Sequence, residues 1–194
     1  MENGNGTSSL SAGWVVQLSG HDFDFSYWER SLRPPFDPWC DRIPQNGRFV
    51  LRSRCFDDLQ SADEVKKSAI PLIQRLNGAL SVAVGAEPLN FDGVGRVDDQ
   101  GELHLTFFAE LNERLRLMAT ATAEVRDAEG NLIPPAPPQP SNAQRWIGAA
   151  EKNDQIADML VFAGRADNWF DIYKALELAE TLAGGRQKLL VLLG

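Results

Sequence analysis

The chain has 194 residues, 43% hydrophobic and 24% charged, which is ordinary globular usage and enough apolar material for a packed core. Its formal net charge of −8 and pI of about 4.8 argue against a broad nucleic-acid-binding surface, because such surfaces carry a basic footprint. Two cysteines, Cys40 and Cys55, are too few for a disulfide scaffold; the spacing leaves a single bridge between them open.

Residues 1–9 have neither a basic n-region nor an apolar run and read as a disordered leader, not a signal peptide. No apolar run approaches the ~20 residues of a membrane span. A soluble, cytoplasmic protein without membrane association is expected. Trp14–Leu18 reads as a short strand between Gly13 and Ser19-Gly20. Phe23-Asp24-Phe25-Ser26-Tyr27 alternates aromatic and polar residues, a period that favours a second strand. Pro34 to Trp39 is an irregular aromatic-rich loop, and Arg48–Cys55 another strand. Arg48, Arg52 and Arg54 alternate along it and would share a face as a local basic patch.

Ser61-Ala62-Asp63-Glu64 is a capping box. The helix it opens carries Val65, Ala69, Leu72, Ile73, Leu76, Leu80 and Ala83 on one stripe, with Pro71 off the stripe, where it should kink or restart the helix. Three further runs, at Gly93–Val97, Glu102–Glu110 and Leu115–Val125, are joined by short polar turns such as Asp98-Asp99-Gln100-Gly101 and read as an antiparallel meander. Pro134–Pro140 is a semi-rigid polyproline spacer. Beyond it, Ser141 and Gln144 form a second capping box for a helix running to about Ala163, where Gly164 is a stop. Another helix starts near Asn168, carries Trp169, Ile172, Tyr173, Leu176 and Ala179 on one face, and ends at Gly184-Gly185. The final run Leu189–Leu193 is apolar without a polar flank beyond it. It is expected either to be buried against the sheet domain or a second protomer, or to mark a chain cut where another element begins.

The fold class expected is therefore α+β: an antiparallel sheet covered by an amphipathic helix over residues 10–133, a proline linker over 134–140, and a helical hairpin over 141–194. Some 50 helical residues are marginal alone, so the tail should dock on the sheet domain or on a partner.

Chemistry-bearing candidates are few. Cys55 beside Arg54 is a candidate reactive thiol, but a Cys–His arrangement needs His21 or His104, and nothing in the sequence brings either to it. A metal site built from the two histidines with Asp22, Asp57 or Asp58 lacks HxH, HxxxH or HExxH spacing, so no metal is expected. Asp57-Asp58 and Asp98-Asp99 are adjacent pairs whose side chains diverge, which argues against acid–base catalysis; Asp98-Asp99 reads as turn chemistry and Asp57-Asp58 as part of the approach to the next helix. Gly93-Val94-Gly95 lacks the rest of a dinucleotide fingerprint, and no cofactor is expected. Asn153 and Asp154 interrupt an apolar face, where a polar pair can bind a ligand, set the register of a partner helix, or sit solvated at the stripe's edge. The aromatics from Phe23 to Trp39, including Trp28 and Trp39, could form a stacking or peptide-binding surface, or a satellite cluster under the loop.

The segment Asn168–Glu177 (Asn168-Trp169-Phe170-Asp171-Ile172-Tyr173-Lys174-Ala175-Leu176-Glu177) resembles a helix of bacterial HEPN-type proteins, many of which act as ribonucleases in toxin–antitoxin or defence systems. That family's active motif is an Arg followed four to six residues later by a His on a late helix. No such pair exists here, and no His follows His104, so the resemblance implies an inactive chain or one whose chemistry lies outside this sequence. No catalytic residue is carried over. The leading expectation is a non-enzymatic binding or assembly protein that self-associates or takes a protein partner through Trp28, Trp39, Asn153, Asp154 or Trp169. The alternative is a nuclease-like or hydrolytic enzyme whose site is incomplete in this chain. A small-molecule pocket between sheet and helices is a third expectation.

Overall fold

The computed structural model describes residues 12–43, 47–100, 102–107, 137–166 and 168–193. The leader, the run Leu115–Val125 and the first three residues of the proline tract lie outside them. Five strands, β1 (Gly13–Ser19), β2 (Trp39–Arg42), β3 (Phe49–Arg52), β4 (Asn90–Val97) and β5 (Leu103–Phe107), form one antiparallel sheet in the order β2-β3-β1-β4-β5. The long helix α2 (Ala62–Val84) covers one face, making the protein α+β as expected.

Alternation sorts the strands. Trp14, Val16 and Leu18 of β1, with Cys40, Phe49, Leu51 and Val94, belong to the core that meets Val65, Ala69, Leu72, Ile73, Leu76 and Leu80 of α2. Val15, Val50, Val97 and Ile43 form a smaller cluster, with Leu103 packed against it. Both halves of the Ser61 box are made: Ser61 Oγ accepts from the Glu64 amide at 3.3 Å, and Glu64 accepts from the Ser61 amide at 3.2 Å. The helix does not restart at Pro71: α2 is one run, with Pro71 on its exposed side and Gly85 closing it in the left-handed region at φ 68°.

Three expectations are corrected. Residues 22–31 are a helix, α1, not a strand. Asp24, Trp28 and Leu32, four residues apart, are all buried, and Phe23 and Tyr27 meet edge to face at 4.7 Å across one turn. The aromatic–polar alternation is thus an i, i+4 pattern seen over too short a window. The basic patch does not form. The strand ends at Arg52, which is buried; Arg54 lies in a short 3-10 turn; Arg48 donates to Gln17 at 3.0 Å. Finally, the helix expected over 141–163 is two helices, α3 (Asn142–Ala150) and α4 (Asp154–Gly164). The tail continues as α5 (Trp169–Ala183) and α6 (Arg186–Leu193), so it holds four helices where a hairpin was expected.

Two contacts seat this tail. The Gln144 side chain is buried, and its Nε2 donates to the carbonyls of Arg33, Phe36 and Pro38 at 2.9–3.1 Å, while its Oε1 accepts from the Ser141 amide. An amide has two N–H groups, so three acceptors share them. One residue thereby caps α3 and ties it to the proline loop more than 100 positions away. The second contact is between α2 and α4. A Cβ on Gly78 would lie 1.7 Å from the Leu160 carbonyl oxygen, and one on Gly164 would lie 2.7 Å from the Gly78 nitrogen. The two backbones touch there, and no side chain fits between them.

Gly78→Ala should therefore destabilise the protein by about 1–3 kcal/mol or more in urea unfolding, because backbone atoms have to move. Gly148→Ala in α3, with open space around it, should stabilise by about 0.5–1 kcal/mol. Gln144→Ala should cost about 1–3 kcal/mol by stranding buried carbonyls, and Gln144→Glu more, since a carboxylate facing three carbonyl oxygens brings no donor.

Candidate functional site

Burial falls steadily along the tail. Helix α3 buries Ala143, Gln144, Ile147 and Ala150; α4 buries Leu160; α5 buries no residue. Helices α3 and α4 pack on α2, α5 packs on α4, and α6 packs on α5, so each element sits farther from the sheet. Asn168 caps α5 by accepting from the Asp171 amide at 3.0 Å, and Gly184 ends it at φ 78°.

The apolar face read from the sequence of α5 is open over most of its length. Trp169 is 85% exposed, Tyr173 62%, Leu176 47% and Ile172 42%. Ala175, Leu178 and Leu182, on the other side of the helix, are half-buried, and Phe170 meets Phe162 of α4 at 6.5 Å between ring centroids. Thus α5 is apolar on two sides and covered on one. The run at 189–193 forms the end of α6, where Leu190, Val191 and Leu192 are exposed, at 59%, 82% and 73%. The expected burial against the sheet domain is not seen for them. Among the described residues, the exposed large apolar side chains concentrate on α5 and α6; the others are Ile70, Val82 and Val84 of α2.

The remaining candidates disperse. Trp28 is fully buried between α1 and the core and cannot contact a partner. Trp39 is half-buried on β2, opposite Arg52 in the β2–β3 pair. Phe25 lies against Phe49 at 4.7 Å, and Tyr27 packs on the core, so the aromatic stretch is woven into the fold. Asn153 is the N-cap of α4: its Oδ1 accepts from the Gln155 and Ile156 amides at 2.9 and 3.4 Å, and Asp154 opens the first turn. The polar pair is the start signal of a helix, not a gap in an apolar face.

Both cysteines are free. Cys55 is exposed and accepts a long hydrogen bond from Ser68 Oγ at 3.6 Å. Cys40 is buried, and burial, helped by Glu29 and Asp41, pushes its thiol well above the usual value. It lies at one edge of a polar cleft of about 540 Å³ bounded by Ser26, Glu29, Arg30, Arg33 and Asp41, between α1 and β2 and not between the sheet and α2.

Sequence spacing missed one constellation. Across the β4–β5 turn, ligand-type atoms of Asp98, Glu102 and His104 lie within 4.8 Å of one another. Asp98 is committed to the turn itself: Oδ1 accepts from the Gln100 and Glu102 amides at 2.9 Å each, and Oδ2 is 3.1 Å from His104 Nε2. Those bonds, the Glu102 amide first, hold the Asp98 carboxyl below its ordinary value. This is the turn chemistry expected of Asp98, and the trio, with Asp98 half-buried and Glu102 and His104 exposed, needs no ion to account for it.

No protein-family model, curated protein or solved structure matches the chain. Among the described residues, no helix is long and apolar enough to cross a membrane. The geometry singles out the open face of α5 and α6. With a thiol-specific reagent, one cysteine should react in the native state and a second only on unfolding; Cys55→Ser should remove the native reactivity, and Cys40→Ser should leave it.

Proposed function

We propose that this protein is a binding or assembly protein whose docking surface is the outer face of α5 with the adjoining end of α6. The observation that carries this reading is the two-sided apolar character of α5. A helix that is hydrophobic all round is a buried helix. Here α4 and α6 pack on the helix, while Trp169, Ile172, Tyr173 and Leu176 stand open at helical spacing. Side chains of this kind, Trp and Tyr above all, supply the anchors of protein interfaces. The open face makes no contribution to the core of the chain, because α5 buries no residue. The resemblance to HEPN-type helices lies on this same helix and adds no catalytic group to it.

Radical footprinting of Trp169 and Tyr173 tests the proposal. Modification of both should be at least several-fold slower in intact cells that express the protein than in a dilute purified sample. Equal rates in the two settings would overturn the docking reading.

A further inference from the structure

We infer that the occupant of the α5–α6 face is a second copy of this chain, in a two-fold symmetric dimer; this rests on the docking reading above and narrows it to one partner. The first argument is area. Trp169, Ile172, Tyr173 and Leu176 of α5 and Leu190, Val191 and Leu192 of α6 are 42–85% exposed. At about 150–250 Å² for each aromatic side chain and somewhat less for each aliphatic one, they leave on the order of 1,000 Å² uncovered. A standard interface takes about 800 Å² from each partner, and the largest apolar patch of an ordinary monomer is about 300–600 Å². The α5 stripe and the end of α6, which packs on α5, together therefore offer apolar area of the order of a half-interface.

The second argument is charge. The chain carries 27 acidic and 19 basic residues, a net −8. From Asn168 to the end, however, the acids Asp171, Glu177 and Glu180 are matched by Lys174, Arg186 and Lys188, so this segment is neutral. Two of those pairs close within the chain: Lys174 with Glu177 at 2.7 Å, and Arg186 with Glu180 at 3.7 Å. A basic partner would be drawn to the acidic remainder, and an anionic membrane would repel it. The neutral, apolar α5–α6 surface is where two like-charged copies can meet without setting charge against charge. A two-fold contact also requires one patch to complement itself. Bulky Trp169 and Tyr173 on α5 and the aliphatic Leu190–Leu192 end of α6 offer anchors and a surface to receive them.

This dimer has an unusual salt dependence. Its contact is apolar and its bodies repel, so screening should strengthen it. Sedimentation equilibrium of the full chain at about 0.05 and 0.5 M NaCl is the test. The expected result is a species of twice the 21.4 kDa chain mass, with a Kd that falls several-fold as salt rises. Trp169→Ala/Tyr173→Asp should weaken association at least about 30-fold with unchanged circular dichroism. Val191→Asp on α6 is an independent second variant with the same expectation. A dimer untouched by all these substitutions would overturn the proposal, as would one weakened by salt. A wild type that stays monomeric to about 100 μM would also overturn it. In that last case, protection of Trp169 in cells would leave the docking reading standing with a different protein as occupant. Protection of Trp169 in the monomer by phosphatidylcholine vesicles would sink both readings in favour of a lipid surface.

Discussion

The arrangement of this protein depends on one close approach, the crossing of α2 and α4 at Gly78 and Gly164. Helix α2 has to serve two layers. One stripe lies on the sheet, and the side carrying Gly78 receives α4 so closely that a single Cβ would strike the Leu160 carbonyl. The distance between these helices sets how far α4 stands from the sheet. Helix α5 packs on the far side of α4 and inherits that position. Had α2 carried a larger residue at 78, α4 would be displaced, and with it α5 and α6. The Gln144 contact fixes the other end of the same assembly, holding α3 against the carbonyls of the proline loop. Between them, a backbone contact and an amide clamp join the two halves of the chain across the proline tract into a shared core.

Much of this was legible in the sequence where a local rule and the tertiary structure agree. Ser61 with Glu64, and Ser141 with Gln144, marked helix starts, and the structure makes both reciprocal bonds in each. The bounding Gly13 and Ser19-Gly20 placed β1, alternation placed β5, and Gly164 and Gly184 marked helix ends. The misses have a common cause, which is that short windows are ambiguous. Five residues of aromatic–polar alternation in α1 fit period 2 and an i, i+4 pair equally, and only the long-range burial of Trp28 and Leu32 decides between them. Strand β2 is four residues long, sits at the edge of the sheet next to a proline, and has no pattern of its own; it exists because β3 offers it a register. Asn153 falls inside an apolar stripe that can be drawn through the sequence, yet Asn before an acidic first turn is a start signal by the same rule that serves at Ser61.

The site itself was half legible. The stripe Trp169, Ile172, Tyr173 and Leu176 is plain in the sequence, but periodicity reports only that a face is apolar. It does not report which of two apolar faces meets the rest of the chain. In α5 the half-buried residues Ala175, Leu178 and Leu182 lie on one side of the helix, and the stripe with Trp169 and Tyr173 is left outside. Gly78 gave no signal either. A glycine inside a helix reads as a cost of about 1 kcal/mol until the structure shows a second backbone against it. The Asp98–Glu102–His104 trio was invisible to motif spacing because a β-turn, not a helix face, brings it together.

The energetics of α5 make its open face hard to dismiss as incidental. A 15-residue helix is marginal in water on its own, and this one is held within the chain only by half-buried side chains. Its caps at Asn168 and Gly184 and its packing on α4 give it its shape, but they do not require a Trp, a Tyr, an Ile and a Leu on the side facing solvent. Charged residues there would hold the same helix with better solubility. In a chain with 27 acidic residues, the absence of acids from the centre of that stripe, at 169, 172, 173 and 176, is a property of the surface. Gly78, Gly164 and Gln144 set α4 in place with backbone contacts and leave α5 outermost, so the fold presents that stripe where a second surface can reach it.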